Sequence, residues 1–381
     1  FDLAMELLIE NGFDGIADAV GVLMNTAMKI ERARHLNADL YERKPTRIGY
    51  ANGYKAKTMR TRFGEVDLAI PQTRGTEFYP QSLERGLRSE RALKLALAEM
   101  YVQGVSTRKV AKVTEELCGF EISSSEVSRA SQALDEQLQA WRNRPLGAFP
   151  YVYLDARYEK VRTGGVVVSS AVLLAIGVSE TGCREVLGAS VKLSENEVHW
   201  RDFLGSLKDR GLYGVRLFIS DAHEGLKAAR DAIFPTVPWQ RCQFHLQQNA
   251  QKYVPRQAMK KEVAERLRNV FTAPSEEEAL RLLELFLSEY REKAPDLVSW
   301  AETAVPEGLT VLTMPDSHHR RLRTVNMLEG LNKEIKRRTR VATIFPNTDA
   351  CLRLVTAVAM EISDEWEAGK AYVTFEELNG P

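Results

Sequence analysis

Asp155 and Asp221 each end a short apolar run, and a glutamate follows much later within a basic stretch. Tyr151-Val152-Tyr153-Leu154-Asp155 and Arg216-Leu217-Phe218-Ile219-Ser220-Asp221 predict two buried strands, and residues 326–332 predict a helix carrying Glu329. A lone aspartate at a strand end is more often a turn residue. Two carboxylates held close together after apolar strands are costly unless a cation neutralises them. Three carboxylates on rigid elements can hold two Mg²⁺ ions, with Mn²⁺ as a substitute, because hard cations take oxygen ligands and phosphoryl transfer uses an in-line metal clamp. The chemistry expected is phosphodiester cleavage.

The third carboxylate is left open by periodicity. Glu329 and Glu334 are about 140° apart on a helix, so they cannot serve together, and each flanks the stripe of Leu328, Leu331 and Ile335. Asn326 and Asn332 share the Glu329 face and could support a metal or a phosphate, whereas Glu334 is spaced to pair with Arg338. Cys242 and His245 have zinc-like spacing, but a structural zinc needs four ligands and only His318-His319 is left as a remote candidate, so no zinc is expected. A structural or DNA-contacting role suits the pair better. His223 either approaches the reacting phosphate or caps the helix that follows it. No phosphate-cradling Gly-x-x-x-x-Gly-Lys-Ser/Thr loop is present, so ATP is not implied, and no Gly-x-Ser-x-Gly elbow suggests acyl transfer.

The 381 residues carry 52 Lys plus Arg against 52 Asp plus Glu, which excludes a protein that coats nucleic acid by bulk charge. The charge is nevertheless clustered. Eight basic residues and two glutamates fall in residues 320–340, including Arg321, Arg323, Lys333, Lys336, Arg337, Arg338 and Arg340. A second patch in residues 43–62 places Tyr50 and Tyr54 among Arg47, Lys55, Lys57 and Arg60. Two such patches on a neutral chain predict a path for double-stranded DNA, the bland alternative being solvated surface charge. Four scattered cysteines form no disulfide framework and suit a reducing cytosol. No apolar run is long enough for a membrane span.

Element patterns divide the chain. Residues 1–45 are helical and a possible dimerisation region, and 46–82 form a small β unit with the first basic patch. Residues 83–147 are helical and hold a helix-turn-helix candidate. Ser106 caps its first helix, Cys118-Gly119 stops it, and residues 123–125 cap the second, on which Ser125, Ser128 and Arg129 lie where a recognition helix meets DNA. A plain helical hairpin fits the same spacing. Residues 148–245 read β-β-β-α-β-α-β-α, with a capping box at Ser194 to Glu197 opening the first helix. That order is the one of a ribonuclease-H-like mixed sheet flanked by helices, in which the first and fourth strands are neighbours. Residues 246–318 form an all-α insertion, 319–366 return to the core with the glutamate helix, and 367–381 form a tail. The fold class expected is α/β, with a mainly helical N-terminal DNA-binding region.

Tyr153-Leu154-Asp155-Ala156, Lys160-Val161-Arg162, residues 219–226 (ISDAHEGL), 239–245 (WQRCQFH) and 332–338 (NKEIKRR), and then Ile344-Phe345-Pro346-Asn347, arrive in one order. Together they make the chain resemble the Mutator-type transposases of bacterial insertion sequences, from about residue 49 to 366. The resemblance implies a DDE recombinase that binds terminal inverted repeats and performs Mg²⁺-dependent cleavage and strand transfer into target DNA, with Asp155, Asp221 and Glu329 as catalytic and metal-binding residues. It also implies a bacterial, cytoplasmic, nucleoid-associated protein. Two DNA ends must be held at once, so a homodimer is expected. The chain departs from the family at Gly330, where arginine usually follows the glutamate. Glycine there costs helix stability and removes a phosphate contact. The rival classes are a nuclease that cuts without joining, a DNA-binding regulator, and an inactive descendant that only binds ends.

Overall fold

The computed structural model describes residues 2–39, 41–83, 89–340 and 344–375. Residues 376–381 of the expected tail lie outside them, as do 341–343 within the returning core segment. The chain forms two compact units, 1–135 and 136–381.

In the first unit, helices α1 (Asp2–Asn11) and α2 (Ile16–Leu36) precede an antiparallel hairpin of β1 (Tyr50–Thr61) and β2 (Gly64–Arg74). Strict alternation in β2 aims Val66, Leu68 and Ile70 at Met28 of α2, so the N-terminal helices and the hairpin share one core. Asn25 closes the seam by accepting from the Ala69 N–H (2.7 Å) and donating to the Asp67 carbonyl (3.1 Å). Then come α3 (Arg91–Val102), α4 (Thr107–Cys118) and α5 (Ser124–Ser131), around Leu93, Leu97, Val110, Phe120, Ile122 and Val127. Ser106 caps α4, Gly119 ends it at φ +73°, and Ser123 and Glu126 form a capping box on α5.

The second unit opens at the start of α6 (Asp135–Arg142) and is a mixed α/β structure. Strands β3 (Tyr151–Thr163), β4 (Val166–Val178), β5 (Arg184–Lys192), β6 (Leu217–Ser220) and β7 (Trp239–Arg241) lie in the order β5-β4-β3-β6-β7. The first three are antiparallel neighbours; β6 runs parallel to β3, and β7 parallel to β6. The continuous apolar stretches of β3 and β4 follow from burial on both faces. One face is covered by α7 (Glu197–Asp209) and α8 (Glu224–Ile233), through Trp200, Leu204 and Ala229 packed on Val152, Leu154 and Phe218. The other face carries Tyr151, Tyr153, Leu217 and Ile219.

The start of α7 differs from the sequence expectation. Asn196, and not Ser194, is its cap, accepting from the His199 N–H at 3.1 Å. Ser194 contributes its carbonyl to His199 instead, and Glu195 is left free to turn toward His223.

After β7 the chain is helical: α9 (Gln243–Ala250), α10 (Lys260–Phe271), α11 (Glu276–Tyr290), α12 (Pro295–Ala304) and α13 (Asp316–Leu322). The first four build a core of their own around Leu246, Leu267, Phe271, Phe286 and Leu297. Gln240 ties this region to the sheet edge. Fully buried, it donates to the Gly308 carbonyl and accepts from the Val311 N–H, both at 2.7 Å. Helices α14 (Asn326–Thr339) and α15 (Thr348–Glu367) then return to cover the second face, with Leu328, Leu331, Ile335, Leu354 and Val358 in its core. Phe345 seats the intervening segment on β3, donating to the Lys160 carbonyl and accepting from the Arg162 N–H, and Asn347 caps α15.

Replacing the buried Gln240 amide by an apolar group of similar size orphans the Val311 N–H, while the Gly308 carbonyl keeps its bond from Gln243. Gln240→Leu is therefore expected to lower unfolding free energy by about 2 kcal/mol, read by urea denaturation; an unchanged midpoint would show that the tie carries no stability.

Candidate active site

The parallel register of β3 and β6 pairs Tyr151 with Leu217 and Tyr153 with Ile219. Side chains alternate along a strand, so Asp155 lies on the same face of β3 as Tyr153, and Asp221 directly follows the end of β6, two residues beyond Ile219. That face is the one covered by α13 to α15. The two aspartates differ in setting. Asp155 is largely buried, and burial pushes its carboxyl up to about 6, opposed by hydrogen bonds from the Ala156 N–H and the Asn332 side chain and by the charge of His245. Asp221 is more open and accepts from the Ala222 N–H at 2.8 Å.

Around this pair stand groups from three further elements. Asn332 of α14 donates from Nδ2 to Asp155 Oδ2 at 2.6 Å, while its Oδ1 is buried and has no hydrogen-bond partner among the described residues. His245 of α9 lies 3.8 Å from Asp221 Oδ2. Cys242 beside it, and then the Asp221 and Asp155 charges, raise His245 to about 9 against the opposing effect of its burial. Cys242 itself is fully buried in the sheet-face core. His223 opens α8 without a side-chain cap bond and approaches Glu195 at 3.9 Å.

Glu329 lies three residues before Asn332 on α14, on the same side of the helix; it is exposed and, among the described residues, forms no hydrogen bond or ion pair. Glu334 accepts from Arg337 Nε at 2.9 Å and is thereby engaged on another side. Among the described residues no three His, Cys, Asp or Glu side chains converge tightly enough to hold a metal. Asp155 and Asp221 are nonetheless hard oxygen donors, and the raised carboxyl with an amide oxygen unpaired among the described residues beside it would suit a divalent cation.

The basic residues divide by how far the fold already uses them. Arg338 is buried and makes a bidentate pair with Glu361, and Arg323 is half-buried with its carbonyl accepting from the Gln243 N–H. Arg321 stacks over Tyr372 at 4.6 Å. Lys333, Lys336, Arg337 and Arg340 are exposed along α14 and just beyond it. In the first unit Arg47 donates to the Gly49 and Glu42 carbonyls, both at 2.7 Å, and Arg60 bridges Glu65 (3.2 Å) and Glu126 (2.7 Å). Lys55 is exposed and Lys57 half-buried on β1, and Ser125, Ser128 and Arg129 are all exposed on α5.

Sequence reasoning did not single out Arg157, Glu159 or Glu195. Arg157 pairs with Glu159 and donates to the Asn332 carbonyl, and the Glu195 charge adds to the upward push on Asp155. The signal was available in part, since residues 155, 157 and 159 alternate on one face of β3.

Comparison with known sequences gives the class of protein, the transposases, which are DNA-processing enzymes. The profile described as "Transposase, Mutator family" matches residues 4–369, and the chain belongs to that family. It is 55% identical to the transposase for insertion sequence element IS406 of Burkholderia multivorans, over 98% of this chain and 97% of that one. It is 43% identical to the transposase for ISRM5 of Rhizobium meliloti (98% and 94% covered) and 36% identical to that for IS256 in transposon Tn4001 of Staphylococcus aureus (93% and 92%). Among the described residues no helix is long and apolar enough to cross a membrane.

A carboxyl raised from 3.8 to about 6 in the folded state holds its proton more tightly there than when unfolded. In metal-free buffer the folded state therefore loses stability as pH climbs from about 4 to about 6, by up to about 3 kcal/mol. Asp155→Asn is expected to flatten that slope in denaturation curves at pH 4.5 and 7; equal slopes in both proteins would contradict it.

Proposed function

We propose that this chain is a DDE transposase that binds the terminal inverted repeats of an insertion sequence and carries out Mg²⁺-dependent strand cleavage and strand transfer. The observation that carries the reading is that the parallel register of β3 and β6 brings Asp155 and Asp221, the residue just after β6, to the same His245. The strand order, with three antiparallel strands followed by two parallel ones, supports a ribonuclease-H-like catalytic core. The helices between β7 and α14, with a core of their own, support an all-α insertion between the second aspartate and the glutamate.

Asp155, Asp221 and Glu329 would hold the cation, with Mn²⁺ able to replace Mg²⁺. When bound, the metal supplies Lewis-acid stabilisation of charge building on the phosphoryl oxygens. Water attacks the phosphodiester at the element end and frees a 3′-OH, which then attacks a target phosphodiester; each exchange breaks one bond and forms one, with no covalent enzyme intermediate. The His245 cation beside Asp221 offsets part of the carboxylate charge. Lys333, Lys336, Arg337 and Arg340 suit the DNA backbone near the chemistry, because exposed cations neutralise phosphates. Ser125, Ser128 and Arg129 on α5, with Lys55 and Lys57 on β1, suit recognition of the repeat. Two ends held together call for a homodimer, acting at the bacterial nucleoid.

The test is strand transfer on a labelled element end with Mg²⁺. Asp155→Asn, Asp221→Asn and Glu329→Gln are each expected to reduce cleavage and joining at least a thousandfold, with Glu334→Gln active. Cutting without joining by the unmutated protein would make it a nuclease, and tight end binding with neither would make it an inactive descendant. A Cβ at Gly330 meets nothing within 4 Å, so Gly330→Arg is expected to gain up to about 1 kcal/mol of helix stability and tighten binding of the end; loss of either stability or affinity would overturn this.

A further inference from the structure

Three alternate residues of β3 and one face of α14 are stitched together. Asn332 reaches Asp155, Arg157 donates to the Asn332 carbonyl, Arg157 pairs with Glu159, and Glu159 accepts from Thr339 Oγ1 at 3.0 Å. Strand and helix are commensurate over this stretch. Residues 155 to 159 advance about 13 Å along a strand, residues 332 to 339 about 10 Å along a helix, and seven residues bring a helix back to the same face. The contacts thus fix both the height and the rotation of α14 against the strand that carries Asp155.

Within this brace the Asn332 amide is only half used. Its Nδ2 is the attractive choice toward a carboxylate, since the amide oxygen would repel it. That orientation leaves Oδ1 buried, and unpaired among the described residues, on the same planar group, next to Asp155. A buried acceptor without a donor is destabilising, and a cation that Asp155 holds would remove the deficit.

Resting on the catalytic reading above, we propose that Asn332 is a positioning residue of the metal centre: it orients the Asp155 carboxylate through Nδ2 and presents Oδ1 as a neutral oxygen donor to the divalent cation. Arg157 and Glu159 hold the helix so that the amide cannot rotate away. The arrangement assigns the amide a place beside the carboxylates that a glutamate of exposed α14 surface does not fill alone. A neutral donor adds an oxygen without adding to the repulsion between Asp155 and Asp221.

The experiment is Mg²⁺ titration of the full chain without DNA, read as the rise in melting temperature, on the unmutated protein, Asp155→Asn, Asn332→Ala and Asn332→Asp, alongside cleavage and end affinity. The unmutated protein is expected to gain stability with Mg²⁺ and Asp155→Asn to lose that response. Asn332→Ala is expected to need about tenfold more Mg²⁺ for half-saturation and to cleave 10- to 100-fold more slowly, with end affinity within twofold. Asn332→Asp is expected to melt lower than the unmutated protein without metal and to gain more on adding it. If Asp155→Asn responds like the unmutated protein, the catalytic-metal reading fails. If Asp155→Asn loses the response but Asn332→Ala keeps the unmutated half-saturation, that reading stands and the role of Asn332 is refuted. Should Asn332→Ala not fold, Asn332→Asp decides alone, and a metal response equal to the unmutated protein's refutes the role.

Discussion

The parallel pairing of β3 with β6 is the constraint on which the rest depends. Asp155 and Asp221 are separated by dozens of residues that include two other strands and a helix, and the register of Tyr153 with Ile219 is what brings them to the same His245. Because side chains alternate, a one-residue slip would send Asp221 to the face covered by α7 and α8. The apolar residues just before each aspartate prevent that slip: Leu217 and Ile219 pack with Tyr151 and Tyr153 on one side, Phe218 with Val152 and Leu154 on the other. The core is what sets the geometry of the polar site.

Burial then sets the electrostatics. Asp155 lies deep enough that its charged form is disfavoured, and the groups that offset this come from separate parts of the fold: the Ala156 backbone, Asn332 on α14 and His245 on α9. Each supplies partial or full positive charge to a carboxylate that the strand cannot let retreat. Since Gln240 of β7 and Gln243 at the start of α9 both donate to the Gly308 carbonyl, the helical region after β7 supports the site's charge balance as well as packing on itself.

The basic residues illustrate how a charge run mixes two kinds of duty. Arg338 and Arg60 are spent on holding α14 to α15 and β1 to α5, through Glu361 and Glu126. Lys333, Lys336, Arg337 and Arg340 face solvent and are the ones available for phosphates on the proposed reading. A surface ion pair contributes little, but removing one partner of a buried pair leaves an uncompensated charge, so the two sets would respond very differently to substitution.

Much of the local structure was legible in the sequence because it depends on neighbours along the chain. The caps at Ser106 and Ser123, the glycine stop at Gly119 and the helix from Asn326 all follow from residue types a few positions apart. The first apolar strand, by contrast, does not end at Asp155 but runs on to Thr163, paired with β4 throughout. The cap of α7 was misplaced by two residues because Ser194 and Asn196 both suit the role locally, and the choice fell to their tertiary partners. Periodicity left Glu329 and Glu334 tied. Their partners differ only in the folded protein, where Arg337 engages Glu334 and Asn332 shows which side of α14 meets Asp155. The sequence by itself determined which residues could do the chemistry, since side-chain type and strand or helix period are local properties. Only the tertiary structure decided which of them meet, which cations remain free and how far burial shifts Asp155, because these depend on contacts between segments that the chain order does not encode.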